Sequence, residues 1–355
     1  MRLRFSPRTD GSPTGRFPDE ATRVPRATLI AVSEGRERTV SVVIPVYRGA
    51  ATIAEVVDEL LPLTAGAVTP RGRRFRVVEV LLVHDNGPDD SDRVLRELEA
   101  AHPEVRAIWL SRNFGQHAAT IAGMSESVGE WIATMDEDGQ HDPADLAGFV
   151  DVAVEGRAGV VYARPVNRPP HGALRNIASK GAKALMSTVL GSKGFREYQS
   201  YRLVRGDIGR QLAEFAASGA YLDVALGWVT DRVLTVPVTL RAEGDRPSGY
   251  STRTLFAHFW RMVLSSGTRG LRIVSVLGVV LAVLGLALAI YLVVERLTGH
   301  VDAQGWTSLA VITLLCSGAV LVSLGIVAEY LGVTLNVAMG RPLYLVVDEP
   351  DPEDD

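Results

Sequence analysis

The sequence predicts an α/β domain, built on a mixed or parallel sheet, that is followed by two transmembrane helices. Short β-branched apolar runs alternate with amphipathic segments through residues 40–240, and this alternation is typical of a parallel sheet with helices on both faces. Two uncharged apolar runs come next, at Ile273–Val294 and Ala303–Ala328. Each exceeds the ~20 residues that a helix needs to cross a bilayer.

The individual elements are predicted from the spacing of apolar residues. The predicted strands are Val40–Val46, Val77–Val83, Val105–Leu110, Trp131–Met135, Val160–Ala163 and Val233–Leu240. The predicted helices are Ala51–Leu61, Asp90–Ala101, Gln116–Val128, Pro143–Glu155, Gly172–Leu190 and Asp207–Ala216. In a sheet of this kind ligands bind beyond the carboxyl ends of the strands, and the polar motifs of the chain lie at those ends.

The chain divides into five predicted segments. They are a disordered tail at 1–38, a soluble domain at 39–250, a juxtamembrane amphipathic helix at 251–271, two transmembrane helices within 272–333 and a C-terminal tail at 334–355. Arginines precede the first apolar run and Arg341 follows the second, whereas Arg296 is the only Lys or Arg between them. The positive-inside rule then predicts a multi-pass protein of the inner membrane, with the soluble domain and both termini in the cytoplasm.

The composition argues against several classes of protein. A formal net charge of −4 gives no overall attraction to nucleic acid, so no nucleic-acid partner is expected. The single cysteine, Cys316, lies in the second apolar run, which leaves no disulfide framework and no thiolate metal site. No Gly-x-Gly-x-x-Gly follows the first strand and no Walker A sequence occurs. A nucleotide would therefore be held in another way.

The acidic segment after the fourth strand predicts a metal site. Asp136 and Asp138 flank Glu137, and alternate residues of an extended chain point to the same side. Both carboxylates can then face one divalent cation, with Gln140 as a further oxygen ligand. Oxygen ligands suit Mg²⁺ or Mn²⁺, which commonly bridge to phosphates. The alternative is a solvated turn or a helix cap ahead of Pro143.

Two other strand ends carry polar residues. Asp85 follows the second strand and can accept a hydrogen bond from a nucleobase, although Asp-Asn-Gly is also an ordinary turn sequence. Arg112 follows the third strand, where its guanidinium can meet phosphate or sugar hydroxyls. Because these ends share one edge of the predicted sheet, the two side chains are expected near Asp136.

Four motifs taken together resemble those of the inverting GT-A glycosyltransferases of family 2, whose domain is Rossmann-like. The motifs are Ser41–Tyr47, Asp85–Gly87, Ser111–Ala119 and Met135–His141, and their order and spacing also match. More narrowly, the chain resembles the polyprenyl-phosphate glycosyltransferases, the group that contains dolichol-phosphate mannose synthase, bactoprenol glucosyltransferases and the undecaprenyl-phosphate formamido-arabinose transferase. The resemblance runs from about Thr39 to Val347 and includes both apolar runs.

The resemblance implies a role for each matching residue. The implied catalytic residues are Asp136, Asp138 and Arg246, the last neutralising the diphosphate leaving group. The implied nucleotide-binding residues are Pro45, Tyr47, Asp85, Arg112 and Asp136, and the implied metal ligands are Asp136, Asp138 and Gln140. The implied acceptor-phosphate ligands are Arg175, Ser179, Arg202 and Arg205. Arginine suits phosphate because its planar fork donates hydrogen bonds in pairs.

The resemblance also implies a reaction. A sugar would pass with inversion from a nucleotide-sugar, UDP-linked rather than GDP-linked, to undecaprenyl or decaprenyl phosphate, for modification of a cell-envelope glycan. A phosphate acceptor is already anionic near neutral pH and needs no strong general base. Members with this architecture suggest a homo-tetramer. The alternatives are a processive polysaccharide synthase, which would carry more spans, and a catalytically degenerate membrane scaffold.

Overall fold

The computed structural model describes residues 36–167, 199–216, 221–241 and 305–349, with scattered positions between 278 and 298. The strands are β1 (Arg38–Val46), β2 (Ala67–Val68), β3 (Arg74–His84), β4 (Val105–Leu110), β5 (Trp131–Thr134), β6 (Val160–Pro165), β7 (Arg202–Arg205), β8 (Val233–Val238) and β9 (Val346–Val347). The α-helices are α1 (Ile53–Leu60), α2 (Ser91–Ala101), α3 (Gln116–Glu126), α4 (Leu146–Gly156), α5 (Gly206–Phe215), α6 (Leu222–Val229) and α7 (Trp306–Ala338). Short 3-10 helices cover Leu61–Ala65 and Pro143–Asp145.

These strands form one mixed sheet in the order β8-β6-β7-β5-β1-β3-β4-β9, with β2 paired to β3. The strands β5, β1, β3 and β4 run parallel to one another. In contrast, β7 runs antiparallel to both of its neighbours, β5 and β6. The predicted mixed α/β sheet is confirmed. We call the line formed by the carboxyl ends of β5, β1, β3 and β4 the carboxyl edge.

Apolar side chains cover both faces of the sheet. In β1, Val42 and Ile44 pack on one face with α1, α2 and α4, whereas Val43 packs on the other face with α3, α5 and α6. All three side chains are fully buried. A strand that is buried on both faces has a largely continuous apolar sequence instead of an alternating one. The sequence of β1 shows this pattern.

Two elements near residue 200 were not predicted. The strand β7 has the sequence Arg-Leu-Val-Arg, in which two apolar residues stand between two charges. Its extended conformation comes from pairing with β5 and β6. The helix α6 contains two valines and a glycine, which are weak helix formers, and buries Leu222 and Leu226. The predicted helices at Gly172–Leu190 and 251–271 lie outside the described residues, as does most of the tail at 1–38.

The second apolar run forms α7, a helix of 33 residues that extends further toward the C-terminus than the predicted Ala303–Ala328. An 18-residue stretch of its segment Cys316–Ala338 has a mean hydropathy of 1.8 and is not buried against the rest of the protein. Among the described residues, this helix alone is long and apolar enough to cross a membrane. The first predicted span, Ile273–Val294, lies mostly outside the described residues.

The helix α7 ends at a glycine cap. Gly340 has a left-handed φ of 66°, its N–H donates to the carbonyl of Val337 at 3.0 Å, and the N–H of Arg341 donates to the carbonyl of Asn336 at 3.0 Å. This pair of bonds is the Schellman pattern, which satisfies carbonyl groups that the last helical turn leaves open. Pro342 follows and cannot continue a helix.

The chain then returns to the sheet, which corrects the prediction of a C-terminal tail over 334–355. The strand β9 pairs antiparallel with β4, so that Val346 lies opposite Leu110 and Val347 lies opposite Trp109. A two-residue strand is too short to be recognised from its apolar pattern, and the acidic residues after it are typical of disorder. Pairing with the edge of the sheet overrides those local preferences.

We call residues Leu343–Glu349 the strap. Leu343 and Tyr344 pack against the core on the α3 side of the sheet, and Val347 packs against the core on the other side. Glu349 forms an ion pair with Arg96 of α2 at 2.9 Å. The residues that follow the membrane-length helix are thus part of the α/β domain.

One prediction concerns Gly87, where a Cβ atom would lie 1.7 Å from the carbonyl oxygen of Tyr47. We expect Gly87→Ala to lower the free energy of unfolding by about 3 kcal/mol or more, the upper end of the overpacking range, because backbone atoms cannot rotate away. Gly148→Ala in α4 is the matched control, since its methyl group meets only Val236 at 3.6 Å and improves helix propensity. Thermal unfolding in detergent compares them, and equal midpoints would contradict the packing around Gly87.

Candidate active site

Glu137 joins the loop after β5 to the loop after β1. The backbone N–H groups of Tyr47 and Arg48 donate to its carboxylate at 2.8 and 3.0 Å, and the hydroxyl of Thr52 donates to its carbonyl at 2.6 Å. Backbone hydrogen bonds to a carboxylate are charge-assisted and therefore strong. Glu137 lies in a turn beyond β5 and not in an extended strand, and its anchoring role was not predicted from the sequence.

The loop after β3 holds the next part of the same segment. The N–H of Gly49 donates to Ser91 Oγ at 2.9 Å, and the N–H of Ala50 donates to Asp89 Oδ2 at 3.1 Å. Ser91 Oγ in turn donates to Asp89 Oδ1 at 2.6 Å. Four successive N–H groups after β1 are therefore bound by side chains from the two flanking loops.

Asp136 and Asp138 lie at the end of β5 with Gln140 close by. Gln116 Nε2 donates to Asp136 Oδ1 at 2.6 Å, and Ser200 Oγ donates to Asp136 Oδ2. Gln140 donates to both oxygens of Asp138, from its backbone N–H at 3.0 Å and from its side chain at 2.8 Å. The structure thus places the three predicted metal ligands in one short turn.

The oxygen atoms of this turn suit a metal ion that has only part of its ligand shell supplied by the protein. In the described ranges no group of three or more His, Cys, Asp and Glu side chains is arranged to hold a metal. Two carboxylates and one amide oxygen are hard donors, however, and Mg²⁺ typically takes one or two carboxylates and completes its shell with substrate phosphates and water. The residues present therefore suit a cation that bridges to a diphosphate.

Asp85 anchors the loop after β4. Its Oδ1 accepts the N–H of Phe114 at 2.7 Å and its Oδ2 accepts the N–H of Gly115 at 2.9 Å. Burial raises the pKa of Asp85, while these two hydrogen bonds and the charge of Arg112 oppose the rise. Each carboxylate oxygen has two acceptor sites, so a contact with a nucleobase would use a second site on an oxygen that already accepts a backbone hydrogen bond.

A pocket of about 190 Å³ lies next to Asp136. Its lining residues are Gln116, His117, Gln199, Ser200, Arg202, Tyr221 and Asp223. Gln116 and Ser200 also hold the carboxylate of Asp136. The pocket and the predicted metal ligands therefore form one continuous site at the carboxyl edge.

Arg202 and Asp223 form a buried ion pair in this pocket. Tyr162 donates its hydroxyl to Asp223 Oδ1 at 2.9 Å, and Arg202 Nε donates to Thr134 Oγ1 at 3.0 Å. Burial raises the pKa of Asp223, and Arg202 and the Tyr162 hydroxyl oppose that rise. Within the described part of the chain Arg202 Nη2 has no hydrogen-bond partner, so it can serve a ligand in the pocket.

Arg205, which was predicted beside Arg202, lies elsewhere. It pairs with Trp131 at the start of β5, whereas Arg202 pairs with Thr134 at the end of β5. Its guanidinium donates to both oxygens of Asp207, at 2.6 and 2.8 Å. Because β7 runs antiparallel to β5, Arg205 is at the end of the sheet remote from the carboxyl edge. The structure contradicts a phosphate site shared by the two arginines.

The other predicted residues differ in accessibility. Pro45 is buried inside β1 opposite Val83, whereas Tyr47 is 38% exposed just beyond the strand. Arg112 is exposed, and its guanidinium lies 4.1 Å from the ring centroid of Phe114. Outside the described residues lie Arg175, Ser179 and Arg246.

Sequence reasoning also missed the two residues that bind the carboxylate of Asp136. Gln116 stands directly after the Ser111–Gly115 segment, at the start of α3, and that position could have been recognised as another polar group at the carboxyl edge. Ser200 precedes β7. No local signal indicated Ser200, because its place depends on the reversed direction of a strand that was not predicted.

Comparison with known proteins decides the family. The family described as "Glycosyl transferase family 2" matches residues 41–209. The undecaprenyl-phosphate 4-deoxy-4-formamido-L-arabinose transferase of Klebsiella pneumoniae subsp. pneumoniae is 33% identical over 313 residues, which cover 87% of this chain and 93% of the relative. The chain belongs to glycosyl transferase family 2. This result confirms the resemblance drawn from the four motifs.

Three further proteins that resemble this chain have a lower sequence identity to it. An enzyme of the same name from Edwardsiella ictaluri is 29% identical over 324 residues, covering 88% of this chain and 96% of that relative. Glucosyl-3-phosphoglycerate synthase from Mycobacterium tuberculosis has a solved structure with a TM-score of 0.45 and 19% identity, covering 68% of this chain and 83% of its own. Mannosyl-3-phosphoglycerate synthase from Rubrobacter xylanophilus gives a TM-score of 0.47 and 18% identity, with coverages of 66% and 74%.

The two arginines of β7 provide a stability test. We expect Arg202→Gln to lower the free energy of unfolding by about 3–5 kcal/mol, because it leaves the buried carboxylate of Asp223 without its charged partner. Arg205→Gln is the matched control, and loss of its exposed pair with Asp207 should change stability by less than ~1 kcal/mol. Thermal unfolding of the glycosyltransferase in detergent measures both. Similar losses for the two variants would show that the environments are wrongly assigned.

Proposed function

We propose that this glycosyltransferase moves a sugar from a nucleotide-sugar to a polyprenyl phosphate at the cytoplasmic face of the inner membrane. The observation that carries the proposal is the continuity of the Asp136–Asp138 turn with a pocket that contains the buried guanidinium of Arg202. A divalent cation at the turn suits the donor diphosphate, and a cationic side chain in the pocket suits an anionic acceptor. The relatives named undecaprenyl-phosphate transferases support the same acceptor class.

The donor side uses the acidic turn. Asp136, Asp138 and Gln140 would hold Mg²⁺ or Mn²⁺, which when bound neutralises charge on the departing diphosphate. Tyr47 follows β1 and Arg112 follows β4, both at the carboxyl edge. Both would contact the nucleotide, with UDP preferred to GDP from the family resemblance. Arg246 remains a predicted further cation for the leaving group.

The acceptor side uses the pocket. An anionic phosphate oxygen can attack the anomeric carbon directly, with inversion of configuration, and needs no strong base. Arg202 offsets the repulsion between the acceptor phosphate and the acidic turn, while Asp223 and Thr134 fix the orientation of its guanidinium. Arg175 and Ser179 remain predicted phosphate ligands.

Membrane attachment completes the proposal. The apolar helix α7 would hold the active site near the headgroup layer, where the acceptor phosphate lies, and so raise its effective concentration. A second span, cytoplasmic placement of both termini and a homo-tetramer are part of the proposal. They rest on the apolar run Ile273–Val294, on the arginine distribution and on the family resemblance.

The first test is label transfer from a panel of UDP- and GDP-sugars to undecaprenyl phosphate, in the presence of Mg²⁺ or Mn²⁺. We expect Asp138→Asn to reduce transfer by at least about 100-fold, because an electrostatic stabiliser of the leaving group is lost. Asp142→Asn is the matched control, since that carboxylate caps the turn at Ala144 and pairs with Arg241 at 3.1 Å. Folded wild-type protein that transfers no sugar would favour the scaffold alternative.

A second test separates a phosphate acceptor from a hydroxyl acceptor. Asp223→Asn keeps an oxygen that can accept from Arg202 and Tyr162 but removes the basic carboxylate. We expect kcat with undecaprenyl phosphate, corrected for the folded fraction, to fall by less than about tenfold. A general base typically contributes ~10²–10⁴-fold, so a loss in that range would contradict attack by an already ionised acceptor.

A further inference from the structure

We propose that the strap is a positioning element for the segment Ser111–Gly115, which we call the donor loop. In this arrangement the end of the membrane helix α7 and the nucleotide site are energetically coupled. The inference rests on the proposed function, because that function assigns the donor loop and its Arg112 to nucleotide binding. It goes further by giving a part in donor affinity to residues that lie after the membrane helix.

The strap holds the start of the donor loop directly. The N–H of Ser111 donates to the carbonyl of Leu345 at 3.0 Å, and the preceding residue, Leu110, lies opposite Val346 of the strap. This bond continues the β4–β9 pairing by one residue beyond the end of β4. The first residue of the donor loop therefore takes its position from the strap.

The other end of the donor loop is held by Asp85, which accepts the N–H groups of Phe114 and Gly115 at 2.7 and 2.9 Å. Only Arg112 and Asn113 lie between the two anchors. A loop this short has little freedom once both ends are fixed. Release of either anchor would widen the range of positions that the Arg112 guanidinium adopts, and nucleotide affinity would fall through the entropy of re-ordering it.

The strap is itself fixed on several sides. The Tyr344 hydroxyl donates to Ser125 Oγ at 3.1 Å on the α3 side, and Glu349 pairs with Arg96 of α2 at 2.9 Å. Towards the membrane helix, Arg341 and Pro342 alone separate the Gly340 cap from Leu343. A displacement of the end of α7 therefore reaches the strap through a very short connection.

The pairing register supplies a matched pair of proline substitutions. Hydrogen-bonded and non-hydrogen-bonded pairs alternate along an antiparallel ladder. Because Ser111 and Leu345 form a hydrogen-bonded pair, Leu110 and Val346 form a non-hydrogen-bonded pair, and Trp109 and Val347 are hydrogen-bonded again. Proline at 347 removes a ladder donor, whereas proline at 346 removes an N–H that faces away from β4, a position where an edge strand tolerates it.

The experiment uses the full chain in detergent and measures UDP and GDP binding with MnCl₂ by calorimetry, together with steady-state transfer. Val347→Pro should weaken binding of the preferred diphosphate and raise the donor KM by about 5- to 10-fold, the equivalent of one lost hydrogen bond. We expect kcat and the KM for undecaprenyl phosphate to stay within about twofold. Val346→Pro should match wild type in all four quantities.

Two results for folded Val347→Pro would overturn the inference while leaving the proposed function intact. One is a fall in kcat together with a rise in both KM values, and the other is unchanged diphosphate binding. Wild-type protein that binds neither diphosphate would overturn the proposed function and this inference with it. The two failures are therefore distinguishable.

Hydrogen exchange of the wild type decides the question if Val347→Pro does not fold. Coupling is reciprocal, so a diphosphate bound at the donor loop must also stabilise the strap. We expect MnCl₂ with the bound diphosphate to slow amide exchange in peptides that cover 343–349 as well as in those that cover 111–115. Slower exchange at 111–115 with no change at 343–349 would overturn the coupling.

Discussion

Backbone N–H groups just beyond the end of β1 have no further strand to pair with, and a carboxylate from the neighbouring loop accepts two of them. Glu137 binds the N–H groups of Tyr47 and Arg48, and Asp85 does the same for Phe114 and Gly115. Hydrogen bonds from backbone N–H groups to a carboxylate are charge-assisted and strong, so these carboxylates help to determine where the strand-end loops lie. The ligand-facing side chains depend on that framework for their positions.

The acidic turn after β5 therefore serves two purposes at once. Glu137 binds the backbone of the loop after β1, whereas Asp136 is bound by Gln116 and Ser200 and Asp138 is bound by Gln140. Under the proposed function, substituting Glu137 would disturb the architecture, whereas substituting Asp136 or Asp138 would disturb ligand binding. Three adjacent carboxylates with a common charge thus have separable roles.

The sequence was sufficient for the parallel part of the sheet. Strands such as β1 and β5 are buried on both faces, and their largely apolar runs could be recognised without tertiary information. Polar residues that follow such apolar runs, among them Asp85 and Asp136, were therefore predicted at the carboxyl edge. The strand β7 could not be predicted from its apolar pattern, because its extended conformation depends on pairing with β5 and β6. Its antiparallel direction was not predictable either. Arg202 and Arg205 were consequently placed together.

The prediction of a C-terminal tail was wrong for a related reason. The composition of Asp348–Asp355 predicts disorder, yet the residues just before it, Val346 and Val347, gain a strand partner in β4. β-propensity depends strongly on such context. The contacts of Tyr344 with α3 and of Glu349 with α2 could not be predicted from the sequence either, because more than 200 residues separate the partners along the chain.

Among the described strands, β8 forms the other edge of the sheet, and its proline limits what can pair with that edge. Val166 donates its N–H to the carbonyl of Val238, so the backbone groups of Val238 face β6 and those of Pro237 face outward. Proline has no N–H to offer there. An incoming strand would find an interrupted row of donors at this edge. A strand from a second copy could therefore not pair fully with β8 at Pro237.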